Sequence, residues 1–190
     1  MGIPTTYEHI QFRSRLEAKW AAFFDCCDWP WHYEPLDLPG WIPDFALGWK
    51  PTLVEVKPAF HPKEFEGALA KITASGYRDP VVLLGAVPRF EVDAIGWIAE
   101  WCPEDGPTGG EWVLHDLDIG FTEGNGRLGL CPMEAGWVNV IWNAPRDHPS
   151  ANKWARVWDL SVDGRHSANA EDVPLHWRSA CNSTQWMARK

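Results

Sequence analysis

Apolar residues recur at helical spacing at Phe12, Leu16, Trp20 and Phe23, which makes one buried stripe of a 3.6-residue period. Ser14 and Glu17 fit the S-x-x-E capping box. The pattern therefore predicts a helix that begins at Ser14 and ends near Asp25 to Cys27, before Trp29-Pro30. Residues 1–11 show no such period and read as an irregular lead-in. Trp31-His32-Tyr33-Glu34-Pro35 alternates, which predicts a short strand closed by Pro35. Leu36 to Gly40 reads as a turn, then Trp41 to Leu47 and Thr52 to Lys57 as two strands. The intervening Gly48-Trp49-Lys50-Pro51 is turn-like, and Pro58 ends the second strand. Phe65, Leu69 and Ile72 line one side of a predicted helix over Lys63 to Gly76, with Gly76 as its capping residue. Val81 to Gly85 is a continuous apolar run, the mark of a strand covered on both faces. Strand, helix, strand in that order predicts a right-handed βαβ unit with a parallel pair. The first half thus reads α-β-β-β-α-β.

The second half is less periodic. Val92 to Trp101 fits a short helix or a strand, and Cys102 to Gly110 a loop rich in proline and glycine. Trp112 to Leu117 and Trp137 to Trp142 read as strands, with glycine-rich Gly120 to Gly129 between them. Gly124-Asn125-Gly126 fits a hairpin turn. Residues 143–152 are polar and loop-like, and the tail from Glu171 to Lys190 fits a helix after Pro174. The expected class is α/β (α+β): a mixed sheet flanked by helices in one domain, residues 1–190. Its core would span residues 10–88, and residues 89–190 would form a β-rich C-terminal elaboration.

The chemistry concentrates between Pro43 and Lys57. In a strand, residues two apart share a face, so Glu55 and Lys57 project together while Val54 and Val56 point to the other side. Asp44 lies eleven positions before Glu55, and a hairpin would bring the two carboxylates side by side. Two carboxylates and an ammonium are costly to bury, and a divalent cation rationalises them. No P-loop, G-x-S-x-G, H-E-x-x-H or G-x-G-x-x-G sits in a suitable context.

Pro43-Asp44, a gap, then Glu55-Val56-Lys57 between apolar residues resembles the PD-(D/E)xK nuclease superfamily. A glutamate on an upstream helix, a Tyr33-Glu34-Pro35 segment, and a helix followed by an apolar strand downstream strengthen the likeness. It covers roughly residues 10 to 85 and is greatest to small endonucleases of phages and mobile elements, including the catalytic domain of TnsA-type transposon endonucleases. The resemblance implies a restriction-endonuclease-like core and hydrolysis of DNA phosphodiester bonds with Mg²⁺ or Mn²⁺. It implies that Asp44, Glu55 and the carbonyl of Val56 hold the metal. Lys57 would orient or help deprotonate the attacking water, and Glu17 would complete the site. Glu17 serves equally well as a capping residue. Glu34 either joins the site, pairs with Lys57 or lies on the surface. His32 and His61 flank the site, and Arg13, Arg15 and Lys19 are candidates for phosphate contacts along the first helix or for a solvated face.

Charge complicates this picture. The chain has a formal charge of −9, whereas phosphate contact normally uses a basic surface. The acidity lies mainly outside the motif: residues 1–85 hold 8 basic against 11 acidic side chains, the remainder 9 against 15. Fourteen tryptophans fit core and interface packing better than base stacking at any one position. Together, acidity and tryptophan suit an alternative: a non-catalytic protein-interaction factor on a nuclease-like scaffold. A recruiting protein partner or a homodimer is compatible with either. Five cysteines without a C-x-x-C predict reduced, mostly buried thiols. No segment approaches the roughly 18 continuous apolar residues of a membrane span, and no signal organisation opens the chain. These features predict a cytoplasmic protein, in a bacterial host if phage-encoded.

Overall fold

The computed structural model describes residues 2–27, 29–47, 52–92, 94–103, 109–121, 128–132 and 173–185. The elements in chain order are β1 (Thr5–Tyr7), β2 (Ile10–Phe12), α1 (Arg15–Cys26), β3 (Trp31–Tyr33), β4 (Phe45–Leu47) and β5 (Thr52–Val56). They continue with α2 (Glu66–Ala74), β6 (Val81–Leu84), β7 (Ala94–Pro103), β8 (Gly110–Phe121), β9 (Leu128–Pro132) and α3 (Val173–Ser183). The class is mixed α+β. Strands β3 to β9 form one seven-stranded sheet in sequential order. Its pairs are antiparallel except β5–β6, which is parallel and joined through α2. The expected order α-β-β-β-α-β holds from α1 to β6.

Alternation along the central strands builds two apolar layers. Val54, Val56, Val82 and Leu84 pack with Trp20, Phe23 and Phe24 of α1 and Trp177 of α3. Leu53, Val81 and Leu83 pack on the other face with Phe65 and Ile72 around α2. The sheet therefore lies between α1 and α3 on one side and α2 on the other. Residues beyond 89 enter the same cores: Ile95, Ile98 and Leu117 join the first layer, Trp97 and Ala99 the second. Val81 to Leu84 is buried on both faces, as its apolar run requires.

Several elements depart from expectation. The lead-in is a hairpin: β1 pairs with β2, and Glu8 and His9 turn the chain at φ 43° and 66°. Glycine or asparagine normally marks such a turn. Trp41 is not in a strand. It exchanges two 3.0 Å backbone hydrogen bonds with Leu38 across a turn in which Gly40 has φ 74°, so β4 starts only at Phe45. The helix expected over Lys63 to Gly76 is a short 3-10 turn over Pro62–Phe65 followed by α2. Val92 to Trp101 is resolved as strand, from Ala94. Cys102 and Gly110 belong to β7 and β8, and Gly120 and Gly129 to β8 and β9, rather than to the loops between. Cys27 is buried but Cys102 is exposed. The turns at 48–51 and 124–126, the strand at 137–142 and the loop at 143–152 lie outside the described residues. Among the described residues no helix is long and apolar enough to cross a membrane.

Candidate functional site

Asp44 immediately precedes β4, and the β4–β5 register continues one step to set it opposite Glu55. Its Oδ2 accepts the Val56 N–H at 2.7 Å, which fastens the aspartate to the end of β5. Its Oδ1 accepts from Arg13 at 2.7 Å. Glu55 is turned away from the Val54 and Val56 side chains, and its Oε2 accepts the Trp41 indole N–H at 2.8 Å. Both carboxylates are buried, with 3% and 4% of their surface exposed. Such groups require compensating charge. Lys57 supplies part of it: Nζ lies 2.5 Å from Glu55 Oε1, 3.8 Å from Asp44 Oδ2 and 3.0 Å from the Val56 carbonyl.

That compensation is incomplete. Burial and the negative charge of Glu55 push Asp44 up to about 7, against the pull of Lys57 and of the Val56 N–H. A carboxylate so displaced gains from any further positive charge placed beside it. The ammonium of Lys57 also marks a point on which three hard oxygens converge, from Asp44, Glu55 and the Val56 carbonyl. These are the donor types that Mg²⁺ and Mn²⁺ prefer, so the residues fit such an ion once Lys57 swings aside. Lys57 is 37% exposed and has room to do so. Among the described residues no group of three or more His, Cys, Asp or Glu side chains is arranged as a metal cluster. Two carboxylates and a backbone carbonyl are a set that a side-chain cluster of that kind does not include.

A cavity of about 510 Å³ opens over these groups, with Arg13, Glu17, Trp41, Asp44, Glu55, Lys57 and Lys71 among its lining residues. Glu17 reaches this wall but is already engaged. Its Oε1 accepts from Ser14 Oγ at 2.7 Å, and its Oε2 accepts from the Tyr33 hydroxyl at 2.6 Å and the Arg13 N–H at 3.2 Å. Ser14 Oγ in turn accepts the Glu17 N–H, which completes an N-terminal cap. Burial and the bond to Glu17 hold Tyr33 up at about 12, so it acts as a neutral donor.

The other expected residues divide. Arg13 lines the cavity, but from the junction before α1 rather than from the helix itself. Arg15 and Lys19 do not line it. Glu34 pairs with Arg13 Nε at 2.8 Å and not with Lys57. His32 is exposed on β3, opposite in direction to Trp31 and Tyr33, and takes no part. His61 caps the Pro62–Phe65 turn, its Nδ1 accepting the Lys63 N–H. Tyr33, Trp41 and Lys71 are site residues that sequence reasoning did not single out. Trp41 Nε1 needed a partner once buried, which was the one available hint.

No protein-family model, curated protein or solved structure matches the chain.

Proposed function

We propose that the chain is a Mg²⁺- or Mn²⁺-dependent DNA endonuclease of PD-(D/E)xK type, with a restriction-endonuclease-like core, of the kind that phages and mobile elements encode. The observation that carries the reading is the convergence of Asp44, Glu55 and the Val56 carbonyl on the Lys57 ammonium at the end of β5. Asp44, Glu55 and the Val56 carbonyl would hold the metal. A divalent cation bound there lowers the pKa of a coordinated water and neutralises phosphate charge. Lys57, released from the carboxylates, orients the attacking water beside the scissile phosphate. Arg13 is half exposed and already bridges Asp44 and Glu34, so it can turn one face to a phosphate while keeping Asp44 in position. Glu17 fixes the start of α1 and the Tyr33 hydroxyl, and so acts as a positioning residue.

The second reading, a non-catalytic interaction factor on the same scaffold, draws on the ion pairing. Arg13 and Lys57 neutralise much of the carboxylate charge, as they would in a purely structural cluster. Against it stands the cavity that opens over the cluster, lined by both carboxylates and by Lys57.

The test is nicking of supercoiled plasmid and of single-stranded circles with Mg²⁺, Mn²⁺ or EDTA. Wild type is expected to cut only with metal. Asp44→Ala should not cut, and Lys57→Ala should cut about 10²- to 10⁴-fold more slowly while its circular dichroism stays native. Cleavage unaffected by either substitution would reject the site. Well-folded wild type that cuts nothing in any metal would favour the interaction factor.

A further inference from the structure

We infer that Trp41 sets the cation preference of the site. By holding one oxygen of Glu55 it leaves that carboxylate a one-oxygen ligand, which suits Mg²⁺ or Mn²⁺ and disfavours Ca²⁺. The inference rests on the metal site of the nuclease reading, and Trp41 acts in it through Glu55, as a positioning residue.

The indole N–H donates to Glu55 Oε2 at 2.8 Å, while Oε1 faces Lys57 Nζ at 2.5 Å. The two oxygens of one buried carboxylate are thus divided between a fixed donor and a movable one. The ammonium can leave, since Lys57 is 37% exposed. The indole is held. Trp41 is 3% exposed, so its N–H depends on Glu55 for a partner, and leaving a buried donor unmet is costly. Trp41 and Leu38 exchange two 3.0 Å backbone hydrogen bonds across the turn in which Gly40 has φ 74°. The ring lies 5.5 Å from that of Tyr77 and belongs to the same apolar layer as Leu53 and Phe65. That layer alone does not call for an indole. A phenylalanine would pack there too, but it has no N–H to give Glu55.

When Lys57 swings aside, the oxygen it uncovers is Oε1, and Oε2 stays with the indole. Asp44 is fastened in a similar way, its Oδ2 accepting the Val56 N–H at 2.7 Å. Neither carboxylate is free to turn both oxygens equally on one ion. Mg²⁺ keeps several waters and takes only one or two carboxylates in a compact octahedral set, and Mn²⁺ shares that geometry. Ca²⁺ takes about six to eight oxygens and often fills them with a bidentate carboxylate. The second oxygen of Glu55 is what Trp41 withholds.

The test is metal binding to the full chain without DNA, so that affinity is read apart from cleavage. Wild type and Trp41→Phe are titrated with Mn²⁺ by electron paramagnetic resonance, and Mg²⁺ and Ca²⁺ by competition. A third protein carries the benzothiophene analogue of tryptophan at position 41, with sulfur in place of the N–H. Wild type should prefer Mn²⁺ and Mg²⁺ to Ca²⁺. Both variants should bind Mn²⁺ and Mg²⁺ about 10- to 100-fold more weakly, the usual effect of deleting a hydrogen bond to a metal ligand, while Ca²⁺ binding falls less or rises. The preference ratio then shifts toward Ca²⁺. A merely structural loss would weaken all three ions alike and leave the ratio unmoved. The analogue keeps the shape of the indole, so it decides the outcome if Trp41→Phe does not fold. An unchanged ratio in a folded variant, or a wild type that prefers Ca²⁺, would overturn the inference and leave the nuclease reading intact. Folded wild type that binds no Mn²⁺ would reject both. The expected shift in a protein that binds metal but cuts no DNA would keep the inference and reject the nuclease reading.

Discussion

Asp44 is the residue on which the site's pH behaviour turns. The folded side chain keeps its proton up to about 7, whereas the unfolded one releases it near 3.8. Between those values the folded state carries the extra proton. Stability from this group is therefore fully present below 3.8 and lost as pH rises to about 7, at no more than about 1.4 kcal/mol per pH unit. We expect wild type in EDTA to lose thermal stability relative to Asp44→Ala across that window, and Mg²⁺ to raise Tm more at pH 8 than at pH 5. Parallel pH curves for the two proteins would contradict the assignment. Asp44, Glu55 and Lys57 could be read from sequence because hairpin register and two-residue alternation are local rules. Lys71 could not, because it reaches the cavity from a helix that touches the site only after the chain has crossed over the sheet. Glu34 was ambiguous for the same reason. Its partner, Arg13, lies 21 positions away, and no spacing rule connects them.

Among the elements, α3 carries a consequence that its weak periodicity hid. Trp177 is 7% exposed, and its ring lies 4.7 Å from that of Trp20 and 5.9 Å from that of Phe23. The helix nearest the C-terminus is thereby stitched to α1, the helix that carries the Glu17 cap. Trp177→Ala should destabilise the fold by about 3–5 kcal/mol, the usual range for deleting a buried tryptophan. Chemical denaturation measures this; a loss under 1 kcal/mol would show that α3 is peripheral. Elements with strong local signals were legible: α1 from its stripe and cap, β6 from its apolar run. The β1–β2 hairpin was not, because Glu8 and His9 adopt positive φ without the side chains that favour it. The start of β4 was misjudged because Trp41 satisfies its backbone groups with Leu38, three residues back.

For the whole molecule, the sheet does not stop where the motif does. β7 pairs with β6, and its residues fill both apolar layers. A fragment ending at Pro88 would expose the β6 edge and lose Ile95, Trp97, Ile98 and Trp177 from the cores. We expect that fragment to aggregate or remain unfolded, with native circular dichroism seen only for the longer chain. A cooperative unfolding transition from the fragment would show that residues 10–88 are self-sufficient. Length and composition gave no sign of this sharing of core between residues before and after 89, since pairing between distant strands leaves no local trace. The position of β5, with all five residues buried and a strand bonded on each side, has a further effect on timing. Its amides should exchange with solvent only when the entire protein unfolds. The backbone that bears Glu55 and Val56 is then as long-lived as the native state, and an ion need not wait for the sheet to open. If the proposed cation binds, it would reach Asp44 and Glu55 by displacing the Lys57 side chain rather than by opening the sheet.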